Sequence, residues 1–224
     1  MPRLSSVARS RATDWTGFLF HAGLGGYALA GAGAAALSLL PTVAYDLMMA
    51  VAFLIRKPVR ASVSSPPARL AAYGRVLFLL LALGLMSRYR PEWMVMTPQA
   101  ALWLAAAACV AGGLAVSAWA LWHLRSSFSI EPQARELTTG GPYRYVRHPI
   151  YSGYVLQYAG LWLLRPTPQL ALVLAIWGLF VWWSIQYEEE TLVRVFPQYA
   201  AYRETAGAVV PRLTRRVARS AVAG

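Results

Sequence analysis

Long apolar runs are the feature that most constrains what this chain can fold into. The longest run extends from Gly17 to Ile55, a length of 39 residues, and further runs cover residues 70–87, 99–122, 150–164 and 169–187. About 20 apolar residues in a helix cross a bilayer core of roughly 30 Å. A soluble domain of 224 residues could not bury a composition that is 58% hydrophobic, with a mean hydropathy of +0.44. The sequence therefore predicts an all-α fold, a polytopic bundle of membrane helices.

The run from Gly17 to Ile55 is too long for one membrane span. A break at Ser38 to Pro41 divides it into predicted helices near 17–38 and 41–55, of which the second is short. The whole chain then has six predicted spans, or five if the segment 41–55 does not cross the bilayer completely. The first helix is too long to be the roughly 7–15-residue core of a signal peptide, so we expect it to be retained.

The predicted helix 99–122 is rich in alanine and glycine. Small residues such as Gly112 and Gly113 let helices approach each other closely in lipid. We therefore expect this helix to be a centre of packing.

The basic residues lie between the apolar runs and predict the orientation of the helices. The net charge is +12, but the arginines do not follow one amphipathic face, so we expect no nucleic-acid partner. If both termini are cytoplasmic, 18 of the 21 lysines and arginines lie on the cytoplasmic side, with Arg75 counted in the basic loop. This asymmetry predicts an integral, multi-pass protein of a bacterial-type inner membrane.

Residues capable of chemistry gather after the helix 99–122. The segment 141–153 reads GPYRYVRHPIYSG, and its Pro149 suits the first turn of a helix, which puts His148 at the mouth of that helix. A turn near 165–168 makes an antiparallel hairpin that returns Glu188, Glu189 and Glu190 to the same membrane face.

Three adjacent carboxylates at the end of a membrane helix oppose both the helix dipole and the positive-inside pattern. Arg144, Arg147 or a cationic ligand would explain them. The alternative is that the acidic run begins a solvated amphipathic helix that reaches Phe196. Residue chemistry alone leaves these two interpretations open.

The segment 141–153 resembles, over its whole length, the signature of the isoprenylcysteine carboxyl methyltransferase and phospholipid methyltransferase superfamily. Glu188 and Glu189, followed by Phe196, Tyr199 and Tyr202, are similar to the second motif of that superfamily, although Pro197 stands where the family often has glycine. Leu124 to Ile130 is similar to the family's approach to the cofactor loop. These matches cover roughly residues 120–211, and the N-terminal helices match nothing distinctive.

The resemblance implies a membrane-embedded enzyme that uses S-adenosylmethionine, with no metal ion. It implies that Arg147 and Glu189 are catalytic. The implied cofactor-binding residues are Tyr143, Tyr145, Val146, Arg147, His148, Pro149, Tyr151, Gly153, Glu188 and Glu189. The tyrosines could instead be interfacial aromatics, and Gly153 could serve close helix packing.

A division into four segments follows. Residues 1–16 and 212–224 are basic tails, and residues 17–122 are membrane helices on the expected substrate side. Residues 123–211 contain the cofactor-binding loop, the helical hairpin and a C-terminal catalytic segment. The active site is expected to face the cytoplasm, where S-adenosylmethionine is made.

The methyl acceptor is expected to be lipophilic and to enter from the bilayer. An isoprenylcysteine-type carboxylate is the first candidate, and a phospholipid amine or a small thiol is the alternative. An NADPH-dependent sterol-type membrane reductase and a non-catalytic membrane protein are the rival classes.

Isolated polar and aromatic residues elsewhere have simpler expectations. Asp46 is costly in a membrane, so it is a candidate for polar pairing or substrate contact. His21 and His123 are expected to be structural. The tryptophans of the C-terminal half, including Trp177, are expected to face lipid or the interface.

Overall fold

A computed structural model of the chain describes residues 4–5, 18–19, 21–22, 36–55, 57, 60–63, 65–89, 100–130, 132–164 and 166–212. Within these ranges the fold is mostly helical, as the sequence predicts. The helices with described bounds are α1 (Ala36–Leu54), α2 (Pro66–Tyr89), α3 (Ala100–Leu124), α4 (Pro149–Leu164), α5 (Pro168–Val195) and α6 (Tyr199–Thr205).

Two predicted helix boundaries are wrong. Helix α1 begins at Ala36 and passes through Pro41, so the break expected at Ser38 to Pro41 does not exist. A proline removes only one backbone donor, and apolar helices tolerate it when the freed carbonyl finds another partner. Of the predicted helix 17–38, only residues 18–19, 21–22 and 36–38 are described, and the rest lies outside the described residues.

The second wrong boundary is the end of α5, which continues to Val195 instead of stopping near residue 187. The apolar run of the sequence ends at Tyr187. The acidic residues that follow bind other residues of the protein, and the helix continues through them. Glu188, Glu189 and Glu190 therefore lie within α5. The alternative of a helix that reaches Phe196 is confirmed in its length, because Phe196 is the C-cap of α5.

Two of the helical segments are long and apolar enough to cross a membrane, judged by length and composition within the described residues. They are Leu102–Ser127 and Pro168–Val195, and Ala44–Leu54 is a shorter apolar helix. The count of six spans and the orientation stay predictions. Large apolar side chains lie exposed on these helices and on α2, as is typical of surfaces that meet lipid: Leu77, Leu81, Leu104, Leu172, Leu179 and Trp182.

Helices α3 and α4 form the most extensive interface between described elements. A Cβ atom on Gly113 would lie 2.4 Å from the carbonyl oxygen of Gly153, and one on Gly153 would lie 2.1 Å from Ser117 Oγ. Neither position has room for a side chain. Gly112 faces open space, so of the two glycines expected to pack closely only Gly113 does. This close contact fixes the start of α4 against α3.

Short strands and backbone bridges hold the polar loops. Strands β1 (Leu4–Ser5), β2 (Ala61–Val63) and β3 (Gln133–Ala134) form an antiparallel sheet in the order β1-β2-β3. The all-α prediction misses this sheet because strands of two or three residues carry no periodic signal.

A second backbone contact joins the motif loop to the C-terminal segment. The Arg147 N–H donates to the carbonyl of Gly207 at 2.8 Å, and the His148 N–H donates to that of Ala208 at 2.9 Å. The C-terminal segment therefore holds the loop immediately before α4.

Candidate functional site

A cavity of about 340 Å³ lies between helices α1, α2, α4 and α5 and the loop that precedes α4. The wall is polar at one end of the cavity and mostly apolar at the other. The polar end, beneath the loop, is lined by Tyr143, Arg147, His148, Glu188, Tyr199 and Tyr202. The apolar end, between the helices, is lined by Tyr45, Met49, Leu79, Tyr154, Tyr158 and Trp177.

His148 links the two buried carboxylates of α5. Its Nε2 lies 3.2 Å from Glu189 Oε1, and its Nδ1 lies 3.4 Å from Glu188 Oε2. Burial by itself lowers the pKa of the imidazole, but the hydrogen bonds and charges of the two carboxylates outweigh burial and raise that pKa above its usual range. The two carboxylates therefore stabilise the cationic form of the ring.

Glu188 faces the cavity and has three partners. The Tyr151 hydroxyl donates to its Oε1 at 2.6 Å, and Arg75 Nη1 donates to the same atom at 3.2 Å. His148 is the third partner, at the other oxygen. The hairpin of α4 and α5 thus brings Glu188 to the same end of the bundle as His148, as the sequence predicts.

Glu189 lies outside the cavity wall, behind the loop. Arg147 Nε donates to its Oε1 at 2.7 Å, and Arg203 Nε, which comes from α6, lies 3.0 Å from its Oε2. Arg147 Nη1 also donates to the carbonyl of Ala206 at 2.5 Å. Glu189 therefore ties the motif loop to α6, while Arg147 lines the cavity.

The remaining predicted site residues divide between the cavity wall and its support. Tyr143 lines the polar end, where burial raises the pKa of its phenol, and its carbonyl accepts from the Tyr202 hydroxyl at 2.5 Å. Tyr151 lines the cavity beside Glu188. The others lie outside the wall: Tyr145 is half exposed, Val146 bridges to Gly207, Pro149 begins α4, and Gly153 packs against α3. Their predicted roles at a cofactor stay predictions.

Arg75 is a member of this cluster that the sequence analysis missed. It lies inside α2, is 8% exposed, and donates through Nη2 to the Ile130 carbonyl at 2.9 Å as well as to Glu188. Its guanidinium lies 5.0 Å from the centre of the Tyr151 ring. Counting Arg75 with the basic loop is therefore wrong. An arginine within an apolar helix is costly and signals a buried acidic partner.

Polar pairs also occur at the apolar end. The hydroxyls of Tyr45 and Tyr154 lie 2.8 Å apart, and Asp46 Oδ1 lies 3.0 Å from His21 Nδ1. The expected polar pairing of Asp46 is confirmed, and its partner is one of the two histidines expected to be structural. Trp177, expected to face lipid or the interface, is instead 6% exposed and packs edge-on against Tyr158 at 4.6 Å.

The arrangement suits a ligand with charges of both signs next to an apolar group. Arg147 presents positive charge to the polar end beside the imidazole of His148, and Glu188 presents negative charge. Aromatic rings and aliphatic side chains continue from this cluster into the bundle. One cavity therefore has an end that suits a charged molecule and an end that suits an apolar molecule.

Comparisons with known proteins find similarity in the same region. Residues 101–199 match the model of the phospholipid methyltransferase family. Among curated proteins, the chain is similar to the nickel-cobalt-cadmium resistance protein NccN of Alcaligenes xylosoxydans xylosoxydans, with 32% identity over 114 residues. That match covers 50% of this chain and 54% of NccN, so the chain spans about half the length of this curated relative.

Among solved structures, the chain is similar to the eukaryotic intramembrane Ras methyltransferase ICMT (isoprenylcysteine carboxyl methyltransferase). The two are 21% identical, with a TM-score of 0.49 over 89% of this chain and 75% of that chain. The family model matches residues 101–199, which supply α3, α4, α5 and the loop that carries Arg147 and His148. Over this segment the chain is similar to the phospholipid methyltransferase family.

Proposed function

We propose that this protein is an integral-membrane methyltransferase that transfers a methyl group from S-adenosylmethionine to a lipophilic acceptor. The observation that carries the proposal is a single cavity that has both a polar end, with Arg147, His148 and Glu188, and an apolar end lined by aromatic rings. The family match of residues 101–199 supports the same activity.

The polar end fits the charges of S-adenosylmethionine. The cofactor has a sulfonium, an amino group and a carboxylate. Glu188 is a cavity-lining anion for a cationic group, and Arg147 and His148 are cavity-lining groups that can bind the carboxylate. When bound, the cofactor supplies an electrophilic methyl group whose sulfur is the leaving atom.

The protein's own residues would contribute alignment and exclusion of water. Methyl transfer from a sulfonium disperses charge, so holding the two reactants in line lowers the barrier more than new charge stabilisation would. His148, Arg147 and Glu188 are held by partners from α2, α4, α5 and the C-terminal segment. We assign Glu189 to positioning, because it holds Arg147 and His148 without lining the cavity.

The acceptor would bind at the apolar end, entering from the bilayer between the helices. Each buried methylene of a hydrocarbon tail contributes roughly 0.8 kcal/mol, so a tailed acceptor needs few polar contacts. An isoprenylcysteine-type carboxylate is the first acceptor to test, followed by a phospholipid amine and a small thiol. The polar end would face the cytoplasm, in agreement with the distribution of basic residues.

The test is methyl transfer itself. Purified protein is incubated with S-adenosylmethionine labelled in its methyl group and with a membrane lipid extract, an isoprenylcysteine, a phospholipid amine or a small thiol, and the labelled product is identified. Glu188→Gln is the matched control, because it keeps the shape of the side chain and removes its charge. We expect a labelled lipophilic product that requires Glu188. Binding of NADPH in place of S-adenosylmethionine would contradict the proposal and favour a reductase.

A further inference from the structure

Tyr199 has a buried hydroxyl that no described residue satisfies. The side chain opens α6, packs with Ala134 and Phe196, and is 1% exposed. Its hydroxyl has no hydrogen-bond partner within the described ranges. The neighbouring Tyr202 differs, because its hydroxyl donates to the carbonyl of Tyr143.

An unpaired buried hydroxyl destabilises the protein unless another molecule satisfies it. Tyr199 is among the residues that line the polar end of the cavity, so its side chain borders the space that a bound molecule would fill. Burial raises the pKa of Tyr199, which keeps the hydroxyl protonated and able to donate. The charged side chains closest to this region already bind each other, since Arg147 donates to Glu189.

We propose that the Tyr199 hydroxyl binds the cofactor at the polar end, donating a hydrogen bond to an acceptor atom of S-adenosylmethionine. The inference rests on the proposed function and adds a ligand-contacting residue to it. The stability that the ligand-free protein loses at this hydroxyl is recovered when the cofactor binds.

Ser184 provides a matched control. It is the other residue whose buried hydroxyl lacks a partner within the described part of the chain. It lies in α5 and does not line the cavity. Removing either hydroxyl removes one unsatisfied polar atom, but of the two residues only Tyr199 lines the cavity.

The experiment compares Tyr199→Phe and Ser184→Ala with the wild-type full chain in detergent or nanodiscs. Calorimetric titration with S-adenosylhomocysteine, which cannot react, gives the affinity, and thermal unfolding without ligand gives the stability. Loss of one neutral hydrogen bond should weaken binding about 2- to 12-fold in Tyr199→Phe. The Tm of ligand-free Tyr199→Phe should equal or exceed that of wild type. Ser184→Ala should show the same or a higher Tm with unchanged affinity.

Each result decides the matter. Unchanged affinity in Tyr199→Phe would overturn the assignment while leaving the proposed function intact. A lowered Tm in ligand-free Tyr199→Phe would also overturn it, because the hydroxyl would then have a structural partner. If the wild-type protein bound no S-adenosylhomocysteine, the proposed function would fail together with this inference.

Discussion

The two ends of the cavity are held together by different interactions. At the polar end, charge-assisted hydrogen bonds converge on Glu188 and Glu189 from α2, α6 and the loop before α4. At the apolar end, aromatic rings pack at 4.6–6.5 Å and one pair of tyrosine hydroxyls is in contact. Directional charge pairs require particular residues at particular positions, whereas apolar packing accepts many side chains of similar volume.

This difference explains why one end carries a recognisable motif and the other does not. Under the proposed function, a charged cofactor needs charged partners at fixed positions, whereas a lipophilic acceptor needs only an apolar wall of suitable shape. The polar end should therefore respond strongly to single substitutions, and the apolar end weakly.

Glu189→Ala should cause the largest loss of stability of the variants considered, because it removes a buried charge partner at the polar end. The side chains of Glu189 and Arg147 are each 8% exposed, so the substitution leaves a buried guanidinium without its carboxylate. Removing one partner of a buried ion pair costs about 3–5 kcal/mol of stability. Thermal or denaturant unfolding in detergent measures the loss. Glu190→Ala is the control, because Glu190 makes only a partly exposed i,i+4 pair with Arg194, worth roughly 0.3–0.5 kcal/mol. Equal losses in the two variants would contradict the account.

Gly113→Ala should have the next largest effect. It tests the close contact between α3 and α4, which fixes the start of α4. The added methyl would lie 2.4 Å from the Gly153 carbonyl, so α3 and α4 must separate. Overpacking of this kind costs about 1–3 kcal/mol. Gly112→Ala faces open space and should leave the unfolding transition unchanged or slightly stabilised. If Gly113→Ala were as stable as Gly112→Ala, the close contact would be refuted.

Tyr154→Phe probes the apolar end. It removes the hydroxyl that lies 2.8 Å from the Tyr45 hydroxyl and leaves the ring in place. We expect KM for the lipophilic acceptor to rise about 2- to 12-fold, because one neutral hydrogen bond that shapes the wall is lost. The affinity for S-adenosylhomocysteine should stay unchanged. A weakened cofactor affinity would contradict the separation of the two ends, because it would show that they act as one site.

The pH dependence of stability should report the polar end with the smallest effect. The carboxylates raise the pKa of His148, so the folded state binds its proton more tightly than the unfolded state. That contribution is complete below the unfolded pKa of about 6.5 and is lost as the pH rises through the higher folded value. The Tm of the wild type should fall over this range, and His148→Gln should flatten the decline. A Tm that rises with pH in wild type would reverse the sign and exclude a cationic His148.

Much of the polar end could be predicted from the sequence. Pro149 indicates the start of α4, and the hairpin length returns Glu188 and Glu189 to His148, because helix rise fixes both distances. The division between the two carboxylates could not be predicted. Adjacent residues on a helix point about 100° apart, so Glu188 faces the cavity while Glu189 faces the loop, and only the position of the loop decides which is which.

The sequence predicts less wherever a contact joins segments that are far apart in the chain. Arg75 pairs with Glu188, which is 113 residues away, and Tyr45 pairs with Tyr154, which is 109 residues away. Trp177 has the same hydropathy whether it faces lipid or a cavity, so composition cannot distinguish the two. The end of α5 could not be predicted either, because the apolar run ends at Tyr187 although the helix continues to Val195.

The most direct test of the account is a calorimetric titration of S-adenosylhomocysteine into the wild type, His148→Ala and Tyr154→Phe. The first variant alters the polar end and the second alters the apolar end. Loss of a hydrogen bond to a charged group should weaken binding in His148→Ala by about 10- to 150-fold, and Tyr154→Phe should bind like the wild type. Wild-type affinity in His148→Ala, or an equal loss in both variants, would contradict the claim that the polar end is the cofactor site.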